Sequence, residues 1–202
     1  MKTQSVREQL LEHASVLIRR RGYNGFSYRD LAALVGVKTS SIHYYFPSKD
    51  DLVLEVVRRY RESMTARLQT IDTALPLTEQ ARRYIEPMRS GMDVGQICLV
   101  GMLSAEVMVL PDSVRGLLKD HFQINETWIA GLLRRAEAER GQPYPVPPAA
   151  FAKVLYGAIQ NGLVTARMSG STDRFDAATD MLLDAVGHAP HAPATVGEAV
   201  AA

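Results

Sequence analysis

Apolar positions recur every three or four residues along almost the whole chain, the period of amphipathic helices, and no segment shows the alternation of a strand. The pattern predicts an all-α fold. A first helix covers residues 5–21, with Val6, Leu10, Ala14, Leu17 and Ile18 on one face. Gly22 and the turn signal "YNG" end it. Ser27 then caps a second helix, with Asp30 as capping-box partner and Leu31, Leu34 and Val35 turned inward. "VGV" leads into a very short third helix, residues 38–46. Pro47 stops it, and Ser48 with Asp51 caps a long fourth helix along which Leu52, Val56, Tyr60, Met64, Leu68 and Ile71 repeat.

Beyond Pro76 the same period predicts helices near 77–89, 94–110, 112–140, 148–169 and 172–186. "GQPYPVPP" is too rich in proline for a helix and reads as a surface loop. "HAPHAPATVGEAVAA", residues 188–202, has no apolar face and reads as a disordered tail. The least charged stretch, "VGQICLVGMLSAEVMVLP", is interrupted by Gln96, Ser104 and Glu106, which makes it a core helix rather than a membrane span.

Composition sharpens the picture in two ways. Cys98 is the one cysteine, so no intrachain disulfide forms, and the chain suits a reducing cytoplasm; the polar opening is no secretory leader. The net charge of +1 is unevenly spread. Up to Arg67 there are 12 Lys/Arg against 7 Asp/Glu, and from Leu68 onward 11 against 15. A polyanion partner is therefore expected for the first part only.

Two short helices joined by a glycine-containing turn form a helix-turn-helix, whose second helix enters the DNA major groove. The segment "KTSSIHYYFPSKDDLV" fits that role. Thr39, Ser40 and Ser41 leave the leading turn slim and offer hydroxyls to base edges or phosphates. His43, Tyr44 and Tyr45 have the reach for the sugar-phosphate wall, and Lys49 adds a cation at a helix start. The same residues also fit a plain cap and turn, with Tyr45 and Phe46 in the core.

The longer stretch "GFSYRDLAALVGVKTSSIHYYFPSKDDLVLEVV" resembles the DNA-binding domain of the TetR family of transcriptional repressors. The resemblance covers roughly residues 4–60, including the aromatic signature ending the third helix and the Pro-Ser-Lys cap. It implies a DNA-binding domain at 1–48, a ligand-binding and dimerisation domain at 49–187, and a homodimer on a double-stranded DNA operator until a small molecule releases it. It further implies that Ser27 and Tyr28 face phosphates, that Thr39 and Ser40 read bases, and that His43 and Lys49 hold the backbone. Lys38 stands where the family has a small cap residue, which moves the expected cap to Thr39. His43 is shorter than the family's tyrosine, so Tyr44 is expected to share its contact.

In the C-terminal half, "CLVGMLSAEVMVLPDSVRGLLKDHF" and "VLYGAIQNGLVTARMSG" resemble the NemR-like, electrophile-sensing branch of that family. This implies an electrophile inducer and a sensing role for Cys98, with Arg167 where a lysine is expected beside it. Arg167 could stabilise a thiolate but not form a covalent link. A cysteine among Ile97, Leu99 and Val100 equally suits a small buried hydrophobe. For a small-molecule pocket the candidates are Met88, Met92, Met102, Phe122, Trp128, Tyr156 and Gln160, with Glu106 or Arg167 as polar anchor. Apolar faces at Leu155, Ile159, Leu163 and Ala166, and at Phe175, Leu182, Leu183 and Val186, mark the last two helices, which the family uses for its dimer. Gly157, Ala158 and Gly162 allow close approach there. No nucleophile elbow, zinc-binding helix or nucleotide loop appears, so neither an enzyme nor a cofactor or metal is expected. An all-helical enzyme or adaptor is the alternative.

Overall fold

The computed structural model describes residues 4–187; the tail expected at 188–202 lies outside them. Among the described residues there are nine α-helices and no strand. They are α1 (Val6–Arg21), α2 (Tyr28–Val35), α3 (Thr39–Tyr45), α4 (Lys49–Gln69), α5 (Leu77–Asp93), α6 (Leu99–Ser104), α7 (Asp112–Arg140), α8 (Pro148–Ser169) and α9 (Asp173–Val186), with a single 3-10 turn at Val107–Val109. None is long and apolar enough to cross a membrane.

Both capping boxes form. Ser27 and Asp30 close the start of α2, and Ser48 and Asp51 the start of α4, each satisfying backbone N–H groups that a helix start leaves open. Around α1, the buried Leu10, Leu11, Ala14, Leu17 and Ile18 bring α2 and α4 together. Leu34 departs from expectation. Leu31 and Ala32 face α1, and Leu34 lies roughly 110° round the helix from that face, so it is exposed.

The helix expected at 94–110 does not exist as one element. α5 runs to Asp93 and is closed by Gly95 at φ 70°, with Gly95 N–H donating to Met92 O and Gln96 N–H to Gly91 O. That is the αL closure that glycine tolerates without strain. α6 starts only at Leu99 and ends at Ser104, because the next turn is pulled out of line by contacts of Glu106 described below.

In the C-terminal part α7 packs on α4 and α8, and α8 on α9. Gly162 makes the last contact possible, since a Cβ there would lie 2.6 Å from Phe175 Cα. Leu155, Ile159 and Leu163, like Phe175, Leu182 and Val186, are buried in this intrachain contact. These faces are therefore not the free ones; Val154, Gly157, Ala158, Asn161, Val164 and Met168 form the exposed side of α8.

Candidate nucleic-acid interface and inner cavity

α3 has seven residues, and only Ile42 among them is buried. With Phe46 just beyond, it is anchored by two apolar side chains and otherwise stands free. Lys38, Thr39 and Ser40 are exposed at its leading end, with nothing bulky ahead of them. Thr39 is not the cap: Lys38 takes the cap position without a side-chain hydrogen bond, so the hydroxyls of the first turn are not used to start the helix. His43 is exposed; its Nδ1–H donates to Pro47 O at 3.1 Å, which leaves Nε2 outward. Tyr44 is 82% exposed and Tyr45 is exposed too, contrary to a core role, while Phe46 is buried as the alternative required.

Three of the expected phosphate contacts are occupied inside the protein. The Tyr28 hydroxyl lies 2.9 Å from Phe46 O and 2.6 Å from Ser48 O, tying α2 to the α3–α4 turn. Burial raises its pKa. Ser27 is exposed, but its Oγ donates to Asp30 as part of the cap. Lys49 is half-buried: its ammonium donates to Phe26 O at 2.5 Å and lies 4.7 Å and 4.3 Å from the ring centroids of Tyr23 and Phe26. Burial lowers its pKa, against the raising effect of Glu106, Asp30 and Asp50. Lys49 thus shapes the surface from beneath.

Glu106 and Arg167, expected as ligand anchors, instead grip the end of α1. Glu106 accepts from Tyr23 N–H at 2.7 Å, from Asn24 N–H at 3.0 Å and from Asn24 Nδ2 at 2.7 Å. Gly22 permits this approach, because a Cβ there would lie 2.0 Å from Glu106 Oε1, and its φ of 78° suits glycine. Arg167 donates to the carbonyls of Arg19 and Arg20 and to Met102 Sδ. A cation there satisfies two orphan carbonyls at the negative end of a helix. Arg19 donates to Ile97 O and Gln96 Oε1, and Arg20 to Val94 O. Tyr23 carries the link onward: its hydroxyl donates to Asp50 at the start of α4 at 2.6 Å, and burial with Asp50 pushes its pKa up to about 12.

Between α4, α5, α7 and α8 lies a cavity of about 120 Å³ lined by Met88, Cys98, Tyr156 and Gln160, four of the expected residues. Arg19, Tyr60, Arg67, His121 and Asn125 are among the other residues that line it. Tyr60 O–H donates to Cys98 Sγ at 3.7 Å, and Gln160 Nε2 to the Tyr156 hydroxyl at 2.8 Å. His121 Nδ1 and Gln160 Oε1 are buried with no hydrogen-bond partner among the described residues. Burial, helped by Arg67, lowers the His121 pKa to about 4, so the ring is neutral near pH 7. His121 and Asn125 were not among the expected residues; two polar side chains one turn apart on the buried face of α7 are the signal that would have found them. Phe122 lines a separate cleft of about 800 Å³, and Trp128 a groove of about 550 Å³ against α4. Met92 and Met102 line none of these, and Arg167 hydrogen-bonds to α1 carbonyls and to Met102 Sδ, not to Cys98.

The sequence model described as "Bacterial regulatory proteins, tetR family" matches residues 10–56, from α1 into α4. A crystal structure of a TetR-family transcriptional regulator from Agrobacterium tumefaciens shares 32% identity and superimposes with a TM-score of 0.82, covering 90% of this chain and 97% of that one. The chain belongs to the TetR family. The HTH-type transcriptional repressor LfrR of Mycolicibacterium smegmatis is 29% identical over 139 residues, 68% of each chain. TetR proteins of this kind are DNA-binding transcriptional regulators and not enzymes, and α1 to α3 are their helix-turn-helix part. Reduced NemR from Escherichia coli also superimposes, with a TM-score of 0.73, 20% identity, and 88% and 95% of the two chains covered. At that identity NemR shares the TetR fold and nothing further follows for Cys98.

Proposed function

We propose that the protein represses transcription by binding a palindromic double-stranded operator as a homodimer, and that a small molecule in the C-terminal part releases it in the cytoplasm. Residues 1–48 act as the DNA-binding domain and 49–187 as the ligand-binding and dimerisation domain. The observation that carries this reading is the joint between them: Glu106 and Arg167 hold the end of α1, and Tyr23 passes that grip to the start of α4, which follows directly on the turn that ends α3. A ligand that moves α6 therefore acts on the recognition helix through named contacts. The relative LfrR is named a repressor, which supports that sign of regulation.

Thr39 and Ser40 read bases, while Lys38, His43 through Nε2, and Tyr44 meet the backbone. Ser27, Tyr28 and Lys49 hold the surface in shape. Dimerisation uses the outward face of α8 and α9, where Val154, Val164, Met168 and Met181 are 65%, 46%, 80% and 52% exposed beside the small Gly157 and Ala158. The inner cavity accepts a small polar inducer, and its two unpartnered atoms, His121 Nδ1 and Gln160 Oε1, supply a donor or acceptor and an acceptor. An electrophile that fits would meet Cys98.

Fluorescence anisotropy with a palindromic fragment from the protein's own promoter, and with one half-site, tests the reading. The palindrome is expected to bind roughly 100-fold more tightly, with log K falling linearly in log salt. Equal affinity for half-site and palindrome refutes the dimeric operator.

A further inference from the structure

We infer that the open cleft along α7 is a binding site for an amphiphilic anion, distinct from the inner cavity. Its volume of about 800 Å³ lies in the range of small-molecule sites. Its lining follows one face of α7 from Arg115 to Arg134, roughly 28 Å of helix. Val107, Leu118, Phe122 and Ala130 give it an apolar floor, and Arg115, Lys119, Arg134 and Lys153 surround that floor with Glu126 as the one acidic group. This cationic patch sits in the half of the chain that is acidic overall.

Three of the four cations are free to take an anion. Lys119, Arg134 and Lys153 have no ion-pair partner among the described residues; Arg115 has Asp112. Arg115 Nε is also shielded from solvent with no acceptor among them. A floor of buried and half-buried apolar side chains beneath three unpaired cations matches a molecule with an apolar body and a negatively charged head. Ala149 and Lys153 extend the lining onto the first turns of α8, at the edge of its exposed side. Phe122 packs edge-to-face on Tyr156 at 5.4 Å, forming the wall between this cleft and the inner cavity.

The cleft also touches the joint. Ser104 and Val107 line it, and they bracket Glu106, whose carboxylate holds the α1–α2 turn. An anion seated there displaces the turn that carries the grip. This effect on DNA rests on the operator-binding reading above; the binding itself does not.

Decanoate, decan-1-ol and decyltrimethylammonium share one tail and differ in head charge, so their displacement of anilinonaphthalene sulfonate from the full-length protein is diagnostic. Decanoate is expected to bind roughly tenfold more tightly than the alcohol, with the cation weakest. Lys119→Glu with Arg134→Glu, both exposed positions, should reverse that order without changing thermal stability. Thr127→Trp, at the exposed rim, should weaken all three alike. Equal affinities, or an order unchanged in the charge-reversed variant, overturn the site. Decanoate is further expected to lower operator affinity in wild type and not in the charge-reversed variant; binding without that effect overturns the coupling. Failure of wild type to bind any operator refutes the regulator reading while leaving the head-group ranking as an independent result.

Discussion

His121 is a buried imidazole with a ring partner, Tyr60 at 5.6 Å, and with Arg67, Cys98 and Tyr156 around the same cavity. Its ring takes up a proton near pH 6.5 in the unfolded chain but only near pH 4 in the folded one. Between those values the unfolded state binds more protons, so stability is full above about pH 6.5 and falls as pH drops towards 4. The loss attributable to this group is about 3 kcal/mol. Urea unfolding of wild type and His121→Asn at pH 7.5 and 4.5 should therefore show a smaller drop in the variant, even though acid-sensitive carboxylates weaken both. An equal drop would mean the ring is protonated in the fold. Cys98 is the neighbouring test. The cavity of about 120 Å³ has room for roughly four waters, so reagent size decides reaction. Acrylamide should slowly alkylate Cys98 in the native protein, the thiolate adding to the terminal alkene carbon and a water proton going to the adjacent carbon. Ellman's reagent should react only after unfolding; rapid native reaction would contradict the 8% exposure of Cys98. Residue types made Met88, Tyr156 and Gln160 pocket candidates, but equally Met92, Met102, Phe122 and Trp128, which lie outside this cavity. Residue types could not signal Glu106 and Arg167, because a charged residue in an apolar run suits a ligand anchor as well as a partner that is distant in sequence.

At the scale of the element, caps and periods were legible because they are local. Ser27 with Asp30, Ser48 with Asp51, and the bounds of α7 and α8 follow from spacing within a few residues. α6 was not legible. Its apolar run continues through Val94–Leu110 in pattern, and the break depends on Gly95 taking a positive φ and on Glu106 being held by α1. α3 lies between these cases: its slim start was readable, whereas the inward engagement of Tyr28 and Lys49 was not. Ser40 is exposed and bears no load in the fold, so Ser40→Tyr should change thermal stability by no more than about 0.5 kcal/mol. Across a panel of operators with single base changes, the same substitution should alter the order of preference, since each mismatched pair costs about 1–3 kcal/mol. A uniform loss over all sequences would assign Ser40 to the phosphates instead.

At the scale of the whole molecule, the proposed two-fold dimer would present two α3 helices that must meet successive major grooves, about 34 Å apart. The rigidity of each joint then decides how well one bound half-site places the other, because the second contact is intramolecular and its strength follows effective concentration. In this protein the joint is polar and small. Glu106 accepts three N–H groups with two oxygens, and Arg167 covers two helix-end carbonyls. Glu106→Gln keeps one acceptor oxygen and turns an amide donor towards donors, which leaves at least one N–H unmatched. Arg167→Ala removes the helix-end cation altogether. With both changes α3 keeps its own surface, so affinity for a single half-site should stay as in wild type. Affinity for the palindrome should fall by roughly tenfold, and operators with one or two extra base pairs between half-sites should bind relatively better than before. Anisotropy titrations over such a spacer series measure this directly. If the double variant loses palindrome and half-site affinity in equal proportion, the joint shapes the reading surface itself and does not set the distance between two of them.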